Sequence, residues 1–166
     1  MTRLKALRPA LLVALALWGP AAAQTAVIVV RHAENTKDTL TEAGRARARR
    51  LAEMLGSAGV AAVYSTGTQR TVGTATPLAE ARRLPVTPYD IGDESRGVDA
   101  RPFVAALRKE HPADVVLVVG HSNTVPDLLK ALGCTEDVTI APREYDNLFV
   151  VVPRESGGAT LVRLKY

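Results

Sequence analysis

Two short apolar runs in the chain contain no polar position: residues 26–30 (AVIVV) and residues 115–119 (VVLVV). Both are rich in β-branched residues, which favour extended backbone. Strands that lack an alternation of apolar and polar residues are typical of a parallel sheet covered by helices on both faces. The pattern therefore predicts two central strands.

Four further segments have strand character: residues 60–64, 85–89, 148–152 and 160–164. The last two flank the turn signal Glu155-Ser156-Gly157-Gly158 and predict a terminal hairpin.

Helical patterns separate the strands. Thr41 is suited to cap a helix over residues 42–55, which Gly56 would end. A second helix is predicted over residues 69–82, where Pro77 is expected to kink or divide it. The third and fourth are expected at residues 100–109 and from about residue 123 to 133. This alternation predicts an α/β fold, a three-layer α/β/α sandwich with a mostly parallel central sheet and a C-terminal hairpin.

The first 23 residues have the pattern of a signal peptide. Basic residues (Arg3, Lys5, Arg8) precede an apolar run of nine residues, and Ala21-Ala22-Ala23 provides an A-x-A cleavage pattern. A run of this length is shorter than the roughly 20 residues that span a bilayer. We expect residues 24–166 to form one domain of a periplasmic or secreted protein, with no stable membrane anchor after cleavage.

Charge does not indicate a nucleic-acid partner. The formal charge of +4 depends on the N-terminal segment, because residues 24–166 contain 18 basic and 17 acidic residues. The one basic cluster, Arg45, Arg47, Arg49 and Arg50, is predicted to be a solvated helix face.

Both buried strands are followed by a histidine. The first continues into Arg31-His32-Ala33-Glu34, and the later one into Gly120-His121-Ser122-Asn123. Ligands of open α/β sheets bind at the carboxyl ends of the strands. If the two strands are neighbours, the two histidines would face one crevice. The third histidine, His111, precedes Pro112 in a polar loop and is expected at the surface.

Two arginines belong to the same predicted edge. Arg31 ends the first strand, and Arg70 opens the helix that follows the strand ending at Ser65-Thr66. Together with the two histidines they would form a cationic pocket suited to a dianionic phosphate, because guanidinium groups offer paired donors to phosphate oxygens. For either arginine taken alone, a surface salt bridge would be the better interpretation.

Four motifs in this order resemble the histidine phosphatase (phosphoglycerate-mutase-like) superfamily. They are RHAE at 31–34, LTEAGRARA at 40–48, ST..QR..GTATPLA at 65–79 and GHSNT at 120–124. The short segment between the first two motifs is similar to the phosphohistidine-phosphatase-like branch. Ala33 stands where the family commonly has glycine. The resemblance implies a phosphoryl group carried on His32, a phosphate pocket of Arg31, Arg70 and His121, and no metal or other cofactor.

The resemblance also implies a proton donor after the third strand. Glu94 is favoured, then Asp93, then Asp90, although all three would also fit a solvated loop. Asn35 and Ser122 are weaker candidates for substrate contact; Ser122 could equally cap the fourth helix.

The sequence thus predicts a metal-independent phosphatase acting on a small phosphorylated substrate or a phosphoprotein. The alternative is a non-catalytic module that binds a phosphorylated ligand. A metallohydrolase using His32, Glu34 and His121 is disfavoured, because two nearby arginines would repel the cation.

Overall fold

The computed structural model describes residues 26–93 and 97–166. Two predictions lie outside the described residues: the signal peptide at residues 1–23 and the proton donor Glu94. No helix within the described ranges is long and apolar enough to cross a membrane.

Ten strands are present in the described part of the chain. Six form the central sheet: β1 (Ala26–Arg31), β4 (Val60–Ser65), β5 (Val86–Pro88), β8 (Val115–Gly120), β9 (Asn147–Pro153) and β10 (Ala159–Lys165). The other four form two short hairpins: β2 (Asn35–Thr36) with β3 (Thr39–Leu40), and β6 (Gly92–Asp93) with β7 (Gly97–Val98). The strand order in the sheet is β10-β9-β1-β8-β4-β5.

The central sheet is mixed but mostly parallel. Strands β1, β8, β4 and β5 run parallel to one another, and β9 pairs antiparallel with both β1 and β10. The last two strands form the predicted C-terminal hairpin. The predicted α/β sandwich with a mostly parallel sheet is therefore confirmed.

Within the described ranges, four helices cover the sheet: α1 (Glu42–Leu55), α2 (Gln69–Arg82), α3 (Arg101–Glu110) and α4 (Thr124–Ala131). Thr41 caps α1 as predicted, because its hydroxyl accepts a hydrogen bond from the Gly44 amide. The division of the second helix at Pro77 was wrong, since α2 continues through it. Buried residues on both sides of the proline, including Ala75 and Leu78, pack against the sheet and hold the helix together.

The central strands are apolar throughout because both of their faces are covered. Val27 and Val29 of β1 belong to the core cluster that contains α3 and α4 residues. Ile28 and Val30 belong to the cluster on the other face, which contains α1 and α2 residues. Strand β8 alternates in the same way, and this burial leaves the strand ends as the place where polar side chains can gather.

Candidate active site

Adjacent strands bring the two histidines together. Arg31 of β1 pairs in register with Gly120 of β8, so His32 and His121 are each the next residue along neighbouring parallel strands. The His32 amide donates a 2.9 Å hydrogen bond to the Gly120 carbonyl. The two imidazole centroids lie 5.4 Å apart at an interplanar angle of 64°. The two rings therefore lie side by side at the carboxyl edge of the sheet, and the space that they border there is called the crevice.

His32 is held as a neutral imidazole with a defined tautomer. Its Nδ1–H donates to the Ala33 carbonyl at 2.8 Å, which leaves the lone pair on Nε2. Burial lowers the pKa of His32 to about 4; the Ala33 carbonyl opposes the shift, whereas the charges of Arg31 and Arg70 add to it. Burial, rather than the arginines expected from the sequence, is the main cause.

Helix α2 fixes the carbonyl that orients His32. The Ala33 amide donates to the Thr74 hydroxyl at 2.9 Å, and that hydroxyl donates to the Arg70 carbonyl at 2.8 Å. Thr74 is completely buried, so both bonds are shielded from water. The peptide after the histidine is thereby anchored to the helix that carries Arg70.

Arg31 is buried and does not form the surface salt bridge considered as an alternative. Its Nη1 donates to three backbone carbonyls of one loop, at 3.0, 3.0 and 3.2 Å: those of Ala141, Pro142 and Glu144. The residue is 7% exposed, and its Nε has no hydrogen-bond partner among the described residues. The guanidinium group is therefore held mainly by the loop that contains these carbonyls.

Tyr145 also lies beside these groups, although sequence reasoning did not identify it. The Arg31 guanidinium carbon lies 4.1 Å from the centroid of the Tyr145 ring, a cation–π distance. The same ring lies 6.0 Å from the His32 ring. The loop bound by Arg31 thus places an aromatic wall beside the histidine.

Asp38 is a second residue that sequence reasoning missed. Its Oδ1 accepts from Arg70 Nη1 at 2.8 Å, and its Oδ2 accepts from the Gln69 amide at 3.0 Å. Arg70 in turn directs Nη2 at His121 Nδ1, 3.4 Å away. The carboxylate therefore aims the arginine into the crevice while it binds the first turn of α2.

Replacing Asp38 with asparagine should loosen Arg70 without removing any group that reacts. We expect KM for an aryl phosphate to rise roughly fivefold, with a smaller change in kcat, because positioning is weakened. Asp137→Asn is the matched control, since Asp137 pairs with Lys130 in an exposed ion pair. Steady-state kinetics on both variants tests the role, and an unchanged KM in Asp38→Asn would contradict it.

His121 bonds to a hydroxyl as well as to Arg70. Its Nε2 lies 2.9 Å from the Thr66 hydroxyl, beyond the end of β4. Burial lowers the pKa of His121 to about 4, with further contributions from the charges of Arg70, His32 and Arg31. Both histidines are therefore neutral near neutral pH.

Glu34 has a structural partner. Arg47 donates to its carboxylate from Nε and Nη2 at 2.7 to 2.9 Å. The prediction that Arg47 belongs to a solvated helix face was wrong, because its side chain is 23% exposed and pairs with the residue that follows Ala33. The rest of the basic cluster behaves differently: Arg45 and Arg49 pair with Glu42 at the surface.

The weaker candidates do not lie together. The side-chain amide of Asn35 donates to the Lys37 carbonyl, two residues further along the chain. Ser122 is half-buried in the turn between β8 and α4, and Asp90 is exposed, with its carboxylate accepting from the Gly92 amide. Asp93 ends β6.

His111 is not the surface residue expected from its loop. Its side chain is 18% exposed. Its Nε2 lies 2.9 Å from the Tyr64 hydroxyl, and its Nδ1 lies 2.9 Å from Asp114. Tyr64 comes from β4, so a long-range contact that the loop sequence does not encode draws this histidine inward.

Metal-ligating side chains do not cluster in the described part of the chain. No group of three His, Cys, Asp or Glu residues there could hold a metal ion. Glu34, the carboxylate of the metallohydrolase hypothesis, is instead engaged by Arg47.

Comparison with known proteins agrees with this geometry. Residues 25–95 match the family model of the histidine phosphatase superfamily, branch 1. Among solved structures, the protein histidine phosphatase SixA complexed with tungstate is 21% identical, with a TM-score of 0.67, and the alignment covers 84% of this chain and 96% of that one.

Two further structures are similar. A mycobacterial glucosyl-3-phosphoglycerate phosphatase in complex with VO3 is 18% identical, with a TM-score of 0.66 and coverage of 84% and 98%. YhfR of Bacillus stearothermophilus is 17% identical, with a TM-score of 0.66 and coverage of 83% and 95%. At these identities the likeness shows the fold alone. No curated protein sequence matches the chain.

Proposed function

We propose that this chain, of which residues 25–95 match the family model of the histidine phosphatase superfamily, is a phosphatase that hydrolyses phosphate monoesters or phosphoprotein through phospho-His32. The observation that carries this proposal is the state of His32. The ring is buried and neutral, with Nδ1 tied to the Ala33 carbonyl and Nε2 left as a nucleophile.

In the first step, the Nε2 lone pair of His32 attacks phosphorus and forms a P–N bond. The ester P–O bond breaks, and the leaving oxygen takes a proton from a general acid. Arg31 and Arg70 offset the charge on the phosphoryl oxygens, and His121 lies beside them. The two arginines carry the counter-charge, so the proposed reaction uses no metal.

In the second step, water attacks the phosphohistidine, the P–N bond breaks, and the electron pair returns to Nε2. The proton from water passes to the conjugate base of the general acid. We propose a carboxyl group of the segment 90–94 as this acid, with Glu94 first. Asp90 is the less suitable candidate, because it is exposed whereas burial is what tunes a carboxyl group for this task.

Two of the similar structures contain anions that mimic phosphate, tungstate and VO3. We propose that the crevice of this chain binds anions of the same class, oxyanions that resemble phosphate. This chemistry is shared with the alternative function, a module that binds a phosphorylated ligand without turnover. The two functions therefore differ in the covalent step and not in binding.

Acid-free quenching with a ³²P-labelled aryl phosphate tests the covalent step. We expect label on the protein that survives alkali and is lost in acid, because a phosphoramidate bond has that stability, unlike a phosphoserine ester. His111→Gln is the matched control and should form the same phosphoenzyme, since the His111 ring bonds to Tyr64 and Asp114.

The outcomes separate the two functions. Label on His32 together with steady phosphate release supports the phosphatase. Binding of vanadate, with no label at any quench time and no phosphate release, would establish the binding module instead.

A further inference from the structure

On the side of its ring away from Arg70, His121 contacts a chain of hydrogen-bonded hydroxyl groups. The Thr66 hydroxyl lies 2.9 Å from His121 Nε2 and 2.9 Å from the Thr71 hydroxyl. The Thr71 hydroxyl lies 2.7 Å from the Thr66 carbonyl. A carbonyl can only accept, so Thr71 donates to it, and Thr66 then donates to Thr71.

This direction leaves Thr66 with a lone pair, and not a proton, for the imidazole. If the Thr66 hydroxyl donated to His121 instead, the contact between the two threonine oxygens would contain no hydrogen atom. The network therefore favours a proton on His121 Nε2, donated to Thr66.

Arg70 imposes the same tautomer from the opposite side of the ring. Its Nη2 lies 3.4 Å from His121 Nδ1. A guanidinium group has no acceptor, so a bond here requires a lone pair on Nδ1. Two independent partners, one just after β4 and one from α2, thus agree on an imidazole whose Nδ1 is unprotonated.

A phosphoryl oxygen is also an acceptor and cannot bond to a lone pair. On the basis of the function proposed above, we propose that Thr66 is a positioning residue that holds His121 in the Nε2–H tautomer. Binding of a phosphoryl dianion then takes up a proton at His121 Nδ1. The imidazolium donates from Nε2 to Thr66 and from Nδ1 to the anion, so the bond to Thr66 is kept. The bond from Arg70 Nη2 to Nδ1 is given up, and Nη2 can then donate to the anion instead.

The charges around His121 make this uptake depend on the anion. Arg70 of α2 and the pair Arg31 and His32 at the end of β1 disfavour the imidazolium, whereas Asp38 between β2 and β3 favours it. Together with burial they keep the pKa of His121 at about 4 in the absence of an anion. A dianion in contact with Nδ1 adds negative charge and raises that pKa.

The sign of the pH dependence follows. Between the pKa of the unliganded ring and the higher pKa of the complex, binding takes up a proton, so affinity falls by about tenfold for each unit of rising pH. Below this window both states are protonated, and above it both are neutral, so the dependence levels off on either side.

Sulfate is the appropriate probe, because it remains a dianion throughout this range. We would record ¹⁵N spectra of histidine-labelled protein at about pH 6, with and without saturating sulfate. His32→Gln and His111→Gln variants assign the signals. The expected result for His121 is a protonated Nε2 and an unprotonated Nδ1 without sulfate, and two protonated nitrogens with it.

Thr66→Val removes the acceptor with little change in shape. We expect His121 to bind sulfate as a neutral Nδ1–H imidazole in this variant, so that proton uptake, measured by calorimetry in buffers of different ionisation enthalpy, falls to less than about half of its wild-type value. Proton uptake with and without the Thr66→Val substitution is measured in the His32→Gln background, which removes any contribution from the His32 ring. Thr66→Ser retains the hydroxyl and should restore the uptake.

Two results would overturn the proposal: a neutral His121 in the sulfate complex of the wild-type protein, or equal proton uptake with valine at position 66. Neither result bears on turnover. A different result would contradict the proposed phosphatase activity: the absence of both phosphate release and a phosphoenzyme.

Discussion

The His32→Ala variant is expected to lose turnover of an aryl phosphate by a factor on the order of 10⁴ or more in kcat. The reason is the covalent step, because Nε2 of His32 is the atom that we propose forms the bond to phosphorus. His32 and His121 differ in this respect: the Nε2 atom of His121 is occupied by Thr66. The measurement is release of phosphate by the purified variant beside the wild-type protein.

Loss of activity through misfolding must be separated from loss of the nucleophile. His32 is 5% exposed, and alanine in its place leaves space but no unpaired charge. Binding of sulfate to the variant and its thermal unfolding provide the two checks. A folded variant that binds sulfate and retains more than a tenth of the wild-type kcat would exclude His32 as the carrier of the phosphoryl group.

The part of the fold that surrounds His32 could be predicted because its signals are local. An unbroken β-branched run identifies a strand buried on both faces wherever it occurs, and β1 and β8 both carry one. The residue after such a strand belongs to the ligand-binding edge of the sheet. Placing His32 and His121 in one crevice required the further assumption that the strands are neighbours, which their register confirms.

The residues that support the site are not local, and the sequence did not reveal them. Asp38 reaches Arg70, and Thr66 reaches His121, across separations of 32 and 55 residues. Tyr145 meets the buried strand end because Arg31 captures a loop 110 residues away. Each contact is a pairing of ordinary surface residue types, so composition and periodicity could not distinguish it from a solvated loop.

Arg47 shows a different error, in which neighbouring arginines were treated as one helix face. Arg45 and Arg49 are four residues apart, so they share a face of α1, where both pair with the exposed Glu42. Arg47 is two residues from each and points to another side of the helix, where it forms a bidentate pair with Glu34. Helical periodicity determines which direction a side chain takes but not what it meets.

Gly44, in the same helix, lies close against the Glu34 backbone. A Cβ atom at Gly44 would lie 2.0 Å from the Glu34 carbonyl oxygen, which is also the acceptor for the Thr41 amide. The Cβ atom is fixed directly to the backbone and the carbonyl is part of it, so neither can rotate away from the other. We therefore expect Gly44→Ala to destabilise the protein by about 2 kcal/mol or more, against the gain of about 1 kcal/mol that alanine usually brings to a helix. The midpoint of thermal unfolding should fall by roughly 5 °C or more.

Gly73→Ala is the matched control, because Gly73 is also a helical glycine but would meet the Leu40 side chain, at 3.1 Å, rather than backbone. A leucine methyl can turn aside, so this variant should unfold within about 3 °C of the wild-type protein. The clash at residue 44 also acts on the segment that follows His32, since Glu34 is two residues from it. Gly44→Ala should therefore lower kcat at temperatures where it is still folded, and equal unfolding midpoints for the two variants would show that α1 does not hold this segment in place.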